Sequence, residues 1–181
     1  MPLTSAKHHP SDCPLLGNPA VFGDGNPESQ LMFIGQNPGR VEVDRGKPFV
    51  GPAGIRLQRL LSDLGLDRDD VWITNVCKCW TKGNAVPPAE AVKHCRVFLR
   101  PEILGKKFIV VFGKTAQAAI AELRRDEPGL FDKDAVIFHC IHPAAAIRKG
   151  LHEAILRRDT KNLREKLAEW EKRNGQTSRK S

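Results

Sequence analysis

The sequence predicts an α/β fold, a three-layer sandwich with a short, mostly parallel central sheet flanked by helices. Two observations predict it. Short apolar runs bounded by Gly, Pro or Asn recur along the chain, and amphipathic stretches at helical spacing separate them. Strands that alternate with helices in this way form parallel sheets, because each crossover carries a helix across one face. A third observation concerns placement: the segments of unusual composition fall just after the apolar runs. In open α/β sheets the carboxyl ends of the strands are where ligands bind.

Taken in order, residues 1–29 are rich in Pro, Gly, Asn and Ser and are expected to wrap irregularly over the core. Residues 30–35, "QLMFIG", read as a short buried strand that ends in a turn. From Ala53 onward Leu57, Leu60, Leu61 and Leu64 return at the spacing of one helix face, and Gly65 suits the C-terminal cap. "VWITNV" (71–76) is the next strand. Pro87 and Pro88 open a helix carrying Val92, Cys95, Val97 and Leu99, expected to stop near Pro101. "KFIVVFG" (107–113) is the clearest strand, and residues 114–125 the clearest helix directly after it. "AVIFHCIHP" (135–143) is a fourth strand ending at His142-Pro143. Residues 151–173 make a charged amphipathic helix with Leu156, Leu163, Leu167 and Trp170 on its apolar side, and residues 174–181 a flexible basic tail.

A chain of 181 residues is most simply one domain, 1–181, long enough to bury a core. No apolar run is long enough to cross a bilayer and the N-terminus lacks a signal pattern, so a cytoplasmic monomer with no obligate protein partner is expected. Lys and Arg total 29 against 21 acids, a net charge of +8 and a pI near 9.5. A domain this basic favours a polyanion such as nucleic acid over a neutral small molecule. There is no tyrosine, so stacking on a base falls to Phe, Trp or His.

Three segments meet at the predicted strand ends: Gly35-Gln36-Asn37-Pro38-Gly39, Asn75 with its C-terminal neighbours, and His142-Pro143. Loops as rich in Gly and Pro as residues 33–54 are costly to order, and they persist where backbone must approach something closely. The five cysteines, Cys13, Cys77, Cys79, Cys95 and Cys140, are in this setting buried thiols or metal ligands rather than disulfides. Cys140, amid apolar strand residues, reads as plain core.

Together these motifs resemble the uracil-DNA glycosylase superfamily, and most of all its iron–sulfur family 4 branch. That branch has Gly-Glu-Ala-Pro-Gly followed by Gly-x-Pro-Phe-Val-Gly-x-Ala-Gly, and residues 35–54 match it without a gap. "TNVCKC" is similar to its Thr-Asn-Val-Val-Lys-Cys, and "HPAAAIR" to its terminal His-Pro motif. The resemblance runs from Cys13 to the last helix. It implies an enzyme that flips a nucleotide out of DNA and hydrolyses the bond between base and sugar. Phe49 would stack on the flipped base and Asn75 would read its hydrogen-bonding edge. His142 would stabilise the departing base anion, while Gln36 and Asn37 would position the leaving group and the attacking water. No lysine holds a motif position suited to Schiff-base chemistry, so the enzyme would be monofunctional and leave an abasic site. Arg148 and Lys149 would hold phosphates, or form a solvated surface.

The chain also departs from the branch. Gln36 and Asn37 stand where family 4 has Glu and Ala, while other branches of the superfamily have Asn, or Gln with Asp, in this turn. A neutral Asn can position a water but cannot take its proton. Glu42 and Asp44 could supply a base, or be solvated loop carboxylates. The target is therefore a uracil-like or otherwise modified pyrimidine, including a hypermodified cytosine of foreign DNA. A non-catalytic DNA-binding module on the same fold is the rival reading, and a hydrolase of free nucleosides a third.

The family's 4Fe-4S cluster is held by four cysteines. Cys79, Cys95 and Cys13 match three of them, and Pro10 occupies the place of the fourth. Cys77, two residues before Cys79, is the nearest spare thiol, with His8 or His9 as other candidates. Zinc, or buried thiols without metal, meet the same constraints.

Overall fold

The computed structural model describes residues 11–143 and 151–175, the side chains of 151–153 apart. Arg148, Lys149, His8, His9 and the tail beyond residue 175 lie outside the described residues.

The apolar runs form the sheet the sequence predicts. Its five strands lie in the order β1-β3-β2-β4-β5, with β1 at Asp24–Gly25, β2 at Leu31–Gly35, β3 at Trp72–Asn75, β4 at Phe108–Phe112 and β5 at Val136–Cys140. β3, β2, β4 and β5 are parallel, and β1 pairs antiparallel with β3. Side chains alternate across the sheet with period 2. Leu31, Phe33, Phe108, Val110 and Phe112 enter one buried cluster, together with residues of α2 (Pro52–Leu64) and α6 (Leu151–Asn174). Met32, Ile34, Ile109 and Val111 enter the other, with α4 (Arg96–Ile103) and α5 (Gly113–Asp126). A strand with both faces covered reads as a continuous hydrophobic run, and β2 and β4 are buried at every position.

Helix crossovers reverse direction around β2: β3 lies to one side of it and β4 to the other. The crevice between the carboxyl ends of β2 and β4 is the switch point where such sheets bind ligands.

Three local expectations are corrected. The segment expected to wrap irregularly holds β1, and Ala20 makes an isolated antiparallel bridge to Cys79. These pairings cover the exposed edge of β3, which would otherwise leave its backbone groups open. The loop after β2 contains a helix, α1 (Arg40–Arg45), whose N-cap Gly39 N–H donates back to the Glu42 carboxylate, the N3 half of a capping box. The helix opened by Pro87-Pro88 breaks at Cys95 into α3 (Ala89–His94) and α4, and α4 runs through Pro101 to Ile103. Pro101 removes one helical hydrogen bond. Phe98, Leu99 and Ile103 are buried on both sides of it, and that burial carries the helix on.

No described helix is long and apolar enough to cross a membrane.

Candidate active site

A cavity of about 200 Å³ opens at the carboxyl ends of the strands, lined by Asn37, Glu42, Phe49, Asn75, Asn84 and His142 among others. Five of the residues singled out by sequence, Glu42 among them, thus meet in one place, and Gln36 is hydrogen-bonded to one of them, Asn37. An apolar cavity of about 150 Å³ holds a benzene ring, so this one has the scale of a single heteroaromatic ring.

The backbone of this site is packed too tightly for side chains. A Cβ on Gly35 would lie 2.4 Å from the Phe49 ring and 2.6 Å from Asn75 Oδ1. A Cβ on Gly54 would lie 2.0 Å from the Phe49 carbonyl oxygen. Glycine at these two positions lets Phe49 and Asn75 approach the end of β2.

Phe49 itself has φ +52°, a left-handed conformation that is strained by about 1–3 kcal/mol in a non-glycine residue. Arg68 holds it there. Its guanidinium donates to the Phe49 carbonyl at 3.0 Å and to the Pro48 carbonyl at 2.8 Å, while pairing with Asp24 at 3.2 Å. The ring is not displayed to solvent, as its Pro and Gly neighbours suggest, but buried at 6% exposure. It stacks on His142 with centroids 5.9 Å apart and packs against Phe112, with one part left to line the cavity.

Asn75 ends β3 and is 3% exposed. Its backbone carbonyl is one of three acceptors around the buried Lys78 ammonium: Asn75 O at 2.8 Å, Thr74 Oγ1 at 2.6 Å and Glu102 Oε2 at 2.6 Å. Three donors thus meet three acceptors, which is what makes a fully buried lysine tolerable.

In the turn after β2, Gln36 Nε2 donates to Asn37 Oδ1 at 2.9 Å, and Asn37 Nδ2 donates to Thr81 Oγ1 at 3.0 Å. Thr81 in turn donates to the Ala85 carbonyl at 2.6 Å. The Asn37 carboxamide is therefore fixed in orientation by both neighbours, and its oxygen keeps a second lone pair.

The two loop carboxylates part company. Asp44 is exposed and pairs with Arg40 at 3.1 Å. Glu42 is buried and lines the cavity. It accepts the N–H groups of Gly39 at 3.1 Å, Val50 at 3.0 Å and Gly51 at 2.7 Å. It thereby ties the first turn to the start of α2, and of its four acceptor positions one remains.

Burial holds the His142 imidazole down at about 4, against an ordinary value near 6.5. It is neutral at pH 7 and can donate one N–H without carrying charge.

Cys13, Cys77, Cys79 and Cys95 form a third buried cluster, separate from the two sheet cores. Cys77 Sγ donates to the Cys79 carbonyl at 3.7 Å, and Cys95 Sγ accepts the Lys78 N–H at 3.3 Å. The neighbouring Cys77 lowers the Cys95 thiol, while Cys95 and burial push Cys77 up. Burial, then the neighbouring Cys95 and Cys13, push Cys79 up to about 12. In kind and number these thiols fit a thiolate-bound group, and Cys77 is buried among them. In arrangement, Cys77 and Cys95 face each other, and among the described residues no three Cys, His, Asp or Glu side chains converge as metal ligands. Cys140 lies in the sheet core, as expected.

Sequence reasoning does not single out Arg68, Thr81, Asn84 or Lys78. Each is a polar residue in ordinary company, and only the fold brings it to the site. Lys78 alone carried a signal, as the one charged residue in the "TNVCKC" segment.

Residues 22–170 match the model of the uracil DNA glycosylase superfamily. The chain is 33% identical over 162 residues to the type-4 uracil-DNA glycosylase of Sulfurisphaera tokodaii, covering 81% of this chain and 74% of that protein. It is 38% identical over 146 residues to that of Pyrobaculum aerophilum, covering 72% and 74%. With that of Thermotoga maritima it shares 42% over 108 residues, covering 58% and 56%. A match over most of the chain, joined to glycines, carboxamides and histidine gathered at the switch point, makes this chain a member of the uracil DNA glycosylase superfamily, on its type-4 branch.

Proposed function

We propose that this chain excises a uracil-like or modified pyrimidine from DNA by flipping the nucleotide into the cavity at the strand ends and leaving an abasic site. Membership of the family makes it a DNA glycosylase, a hydrolase of the N-glycosidic bond. The single observation that carries the finer reading is the cavity itself, of one-ring size, with Asn75, Asn37 and a neutral His142 on its wall.

The parts divide the work. The carboxamide of Asn75 offers both a donor and an acceptor to the base edge. Phe49 gives the base an aromatic face. As the glycosidic bond breaks, electrons pass to the base, and the His142 N–H donates to the oxygen that gains charge, which strengthens the bond in the transition state. The sugar becomes cation-like and is captured by water. Asn37, held by Gln36 and Thr81, orients that water. Glu42 has the remaining acceptor position of a cavity-lining carboxylate and receives the proton. Among the described residues no lysine lines the cavity, which supports a monofunctional enzyme.

Cys13, Cys77, Cys79 and Cys95 would hold a 4Fe-4S cluster, or zinc, as a brace. The Cys77 N–H donates to the Gln36 carbonyl at 2.9 Å, so a brace there stiffens the catalytic turn. Iron, sulfide and zinc in the purified protein decide between them, and Cys95→Ser should lose whichever is present.

The test of the main reading is alkali-labile strand cleavage after incubation with DNAs bearing uracil, thymine and uracil mismatches, deaminated purines or substituted cytosines of phage DNA. Cleavage of a pyrimidine substrate supports the reading and names the base. Binding to every substrate without cleavage of any overturns it in favour of a non-catalytic DNA-binding module. A protein that acts as a cytoplasmic monomer would need no partner in this assay.

A further inference from the structure

A second cavity, of about 430 Å³, lies between α2 and α6 and is lined by Arg56, Arg59 and Asp63 from the first and Arg157, Lys161 and Arg164 from the second. Five cations thus face one carboxylate. Arg164 donates to the Asp63 backbone carbonyl at 2.9 Å. Arg56, Arg59 and Lys161 make no ion pair or side-chain hydrogen bond among the described residues. The opposite face of the sheet is different. There Lys93, Arg96 and Arg100 pair with Glu122, Asp126 and Glu127. The cleft therefore carries an excess of positive charge, which raises the local concentration of polyanions there.

The cleft also opens in the right direction. α2 begins with Pro52 and Ala53 on the wall of the base cavity. Arg56 and Arg59 come three and six residues after Ala53, about 4.5 and 9 Å along the helix at 1.5 Å per residue. α6 is pinned to the end of β5 by the Ile141 N–H, which donates to Asp159 Oδ2 at 3.0 Å. Its other end packs Trp170 against Phe108 at the start of β4. Arg157, two residues before Asp159, is consequently close to the carboxyl end of β5, the edge that carries His142.

We propose that this cleft seats the backbone phosphates of the DNA strand two to three nucleotides from the extruded one. That spacing comes from about 9 Å of helix against 3.4 Å per nucleotide along one strand. The inference rests on the glycosylase reading, and it assigns the anion as DNA backbone.

The test is the salt dependence of duplex binding for the wild type and for Arg56→Gln/Arg59→Gln/Lys161→Gln, with single-turnover excision at saturating DNA. Each phosphate contact contributes about 0.9 to the slope of log K against log salt, so the slope should fall by about 1.8–2.7. Excision at saturation should stay within about twofold, since no residue of the base cavity is touched. A control, Lys93→Gln/Arg96→Gln/Arg100→Gln, removes the same charge from the other face and should leave the slope unchanged. Neutral methylphosphonate linkages two and three nucleotides from the target should weaken the wild type and not the cleft variant. An unchanged slope in the cleft variant, or an equal fall in the control, overturns the proposal. If the wild type neither binds nor cleaves any DNA, the glycosylase reading fails first.

Discussion

One helix, α2, separates two cavities built on opposite principles. At its first turn lies the base cavity, of about 200 Å³, walled by three carboxamides of which Asn75 is buried, an aromatic ring and a neutral imidazole. One to two turns on lies the cleft, of about 430 Å³, walled by long exposed cations. In the first, polar groups are held by others: the Asn37 carboxamide by Gln36 and Thr81, the Asn75 backbone carbonyl by Lys78, Glu42 by three backbone N–H groups. In the second, three cations are held by nothing among the described residues. Groups that act on developing charge need fixed orientation, because reorganising them during reaction raises the barrier. Groups that attract a polyanion need only charge and reach.

The largest effect should break the comparison at the first cavity. Asn37→Ala or His142→Ala should lower single-turnover excision by about 10²–10⁴-fold, the scale of one positioned catalytic group. The salt slope of DNA binding should stay as in the wild type. Near wild-type excision by either variant would remove that residue from the chemistry.

A smaller effect sharpens how the first cavity is held. Arg68→Gln removes the charge-assisted hydrogen bonds to the Pro48 and Phe49 carbonyls that stabilise the left-handed Phe49. Bonds to a charged group contribute about 1.5–3 kcal/mol, so thermal stability should drop by that order and excision with it. Arg68→Lys should restore it only in part, because one ammonium cannot match a fork that reaches two carbonyls and Asp24. A melting temperature unchanged in Arg68→Gln would mean that Gly54 and the core alone hold Phe49.

The two regions were also unequally legible in the sequence. The continuous apolar runs of β2 and β4 result from burial on both faces and the leucine spacing of α2 from burial on one, so these strands and their alternation with helices could be read directly. Gly35, Asn37, Asn75 and His142 stood at or just after strand ends in marked company, and Phe49 in a loop rich in Gly and Pro. α1 was hidden because a six-residue helix has no hydrophobic period to show, and its reason is the single contact from Glu42 to Gly39. Glu42 and Asp44 looked alike for the same reason, and the fold buries one and exposes the other. The cleft was invisible as such: Arg56 and Lys161 are 105 positions apart, and charge in a sequence carries no sign of which helices will share a seam.

The smallest effect is a near absence of one, and it tests why the first cavity uses an uncharged histidine. Burial lowers the folded-state pKa of His142 from about 6.5 to about 4. With the neutral form as the proposed donor, excision should be almost level between pH 8 and pH 5 and should fall as pH drops toward 4. An ordinary histidine would be roughly 90% protonated one unit below its pKa, at pH 5.5, and would have lost about tenfold by then. Stability shows the same linkage with its sign fixed. The unfolded histidine takes a proton near pH 6.5 and the folded one does not, so the stability His142 allows at neutral pH is drawn down as pH falls from 6.5 to 4. His142→Gln keeps an N–H donor without the titration, and should remove this histidine's share of both slopes. An inflection of wild-type excision near pH 6.5, absent from His142→Gln, would show that the ring is charged during turnover and that the cavity is wetter than its packing against Phe49 and Phe112 implies.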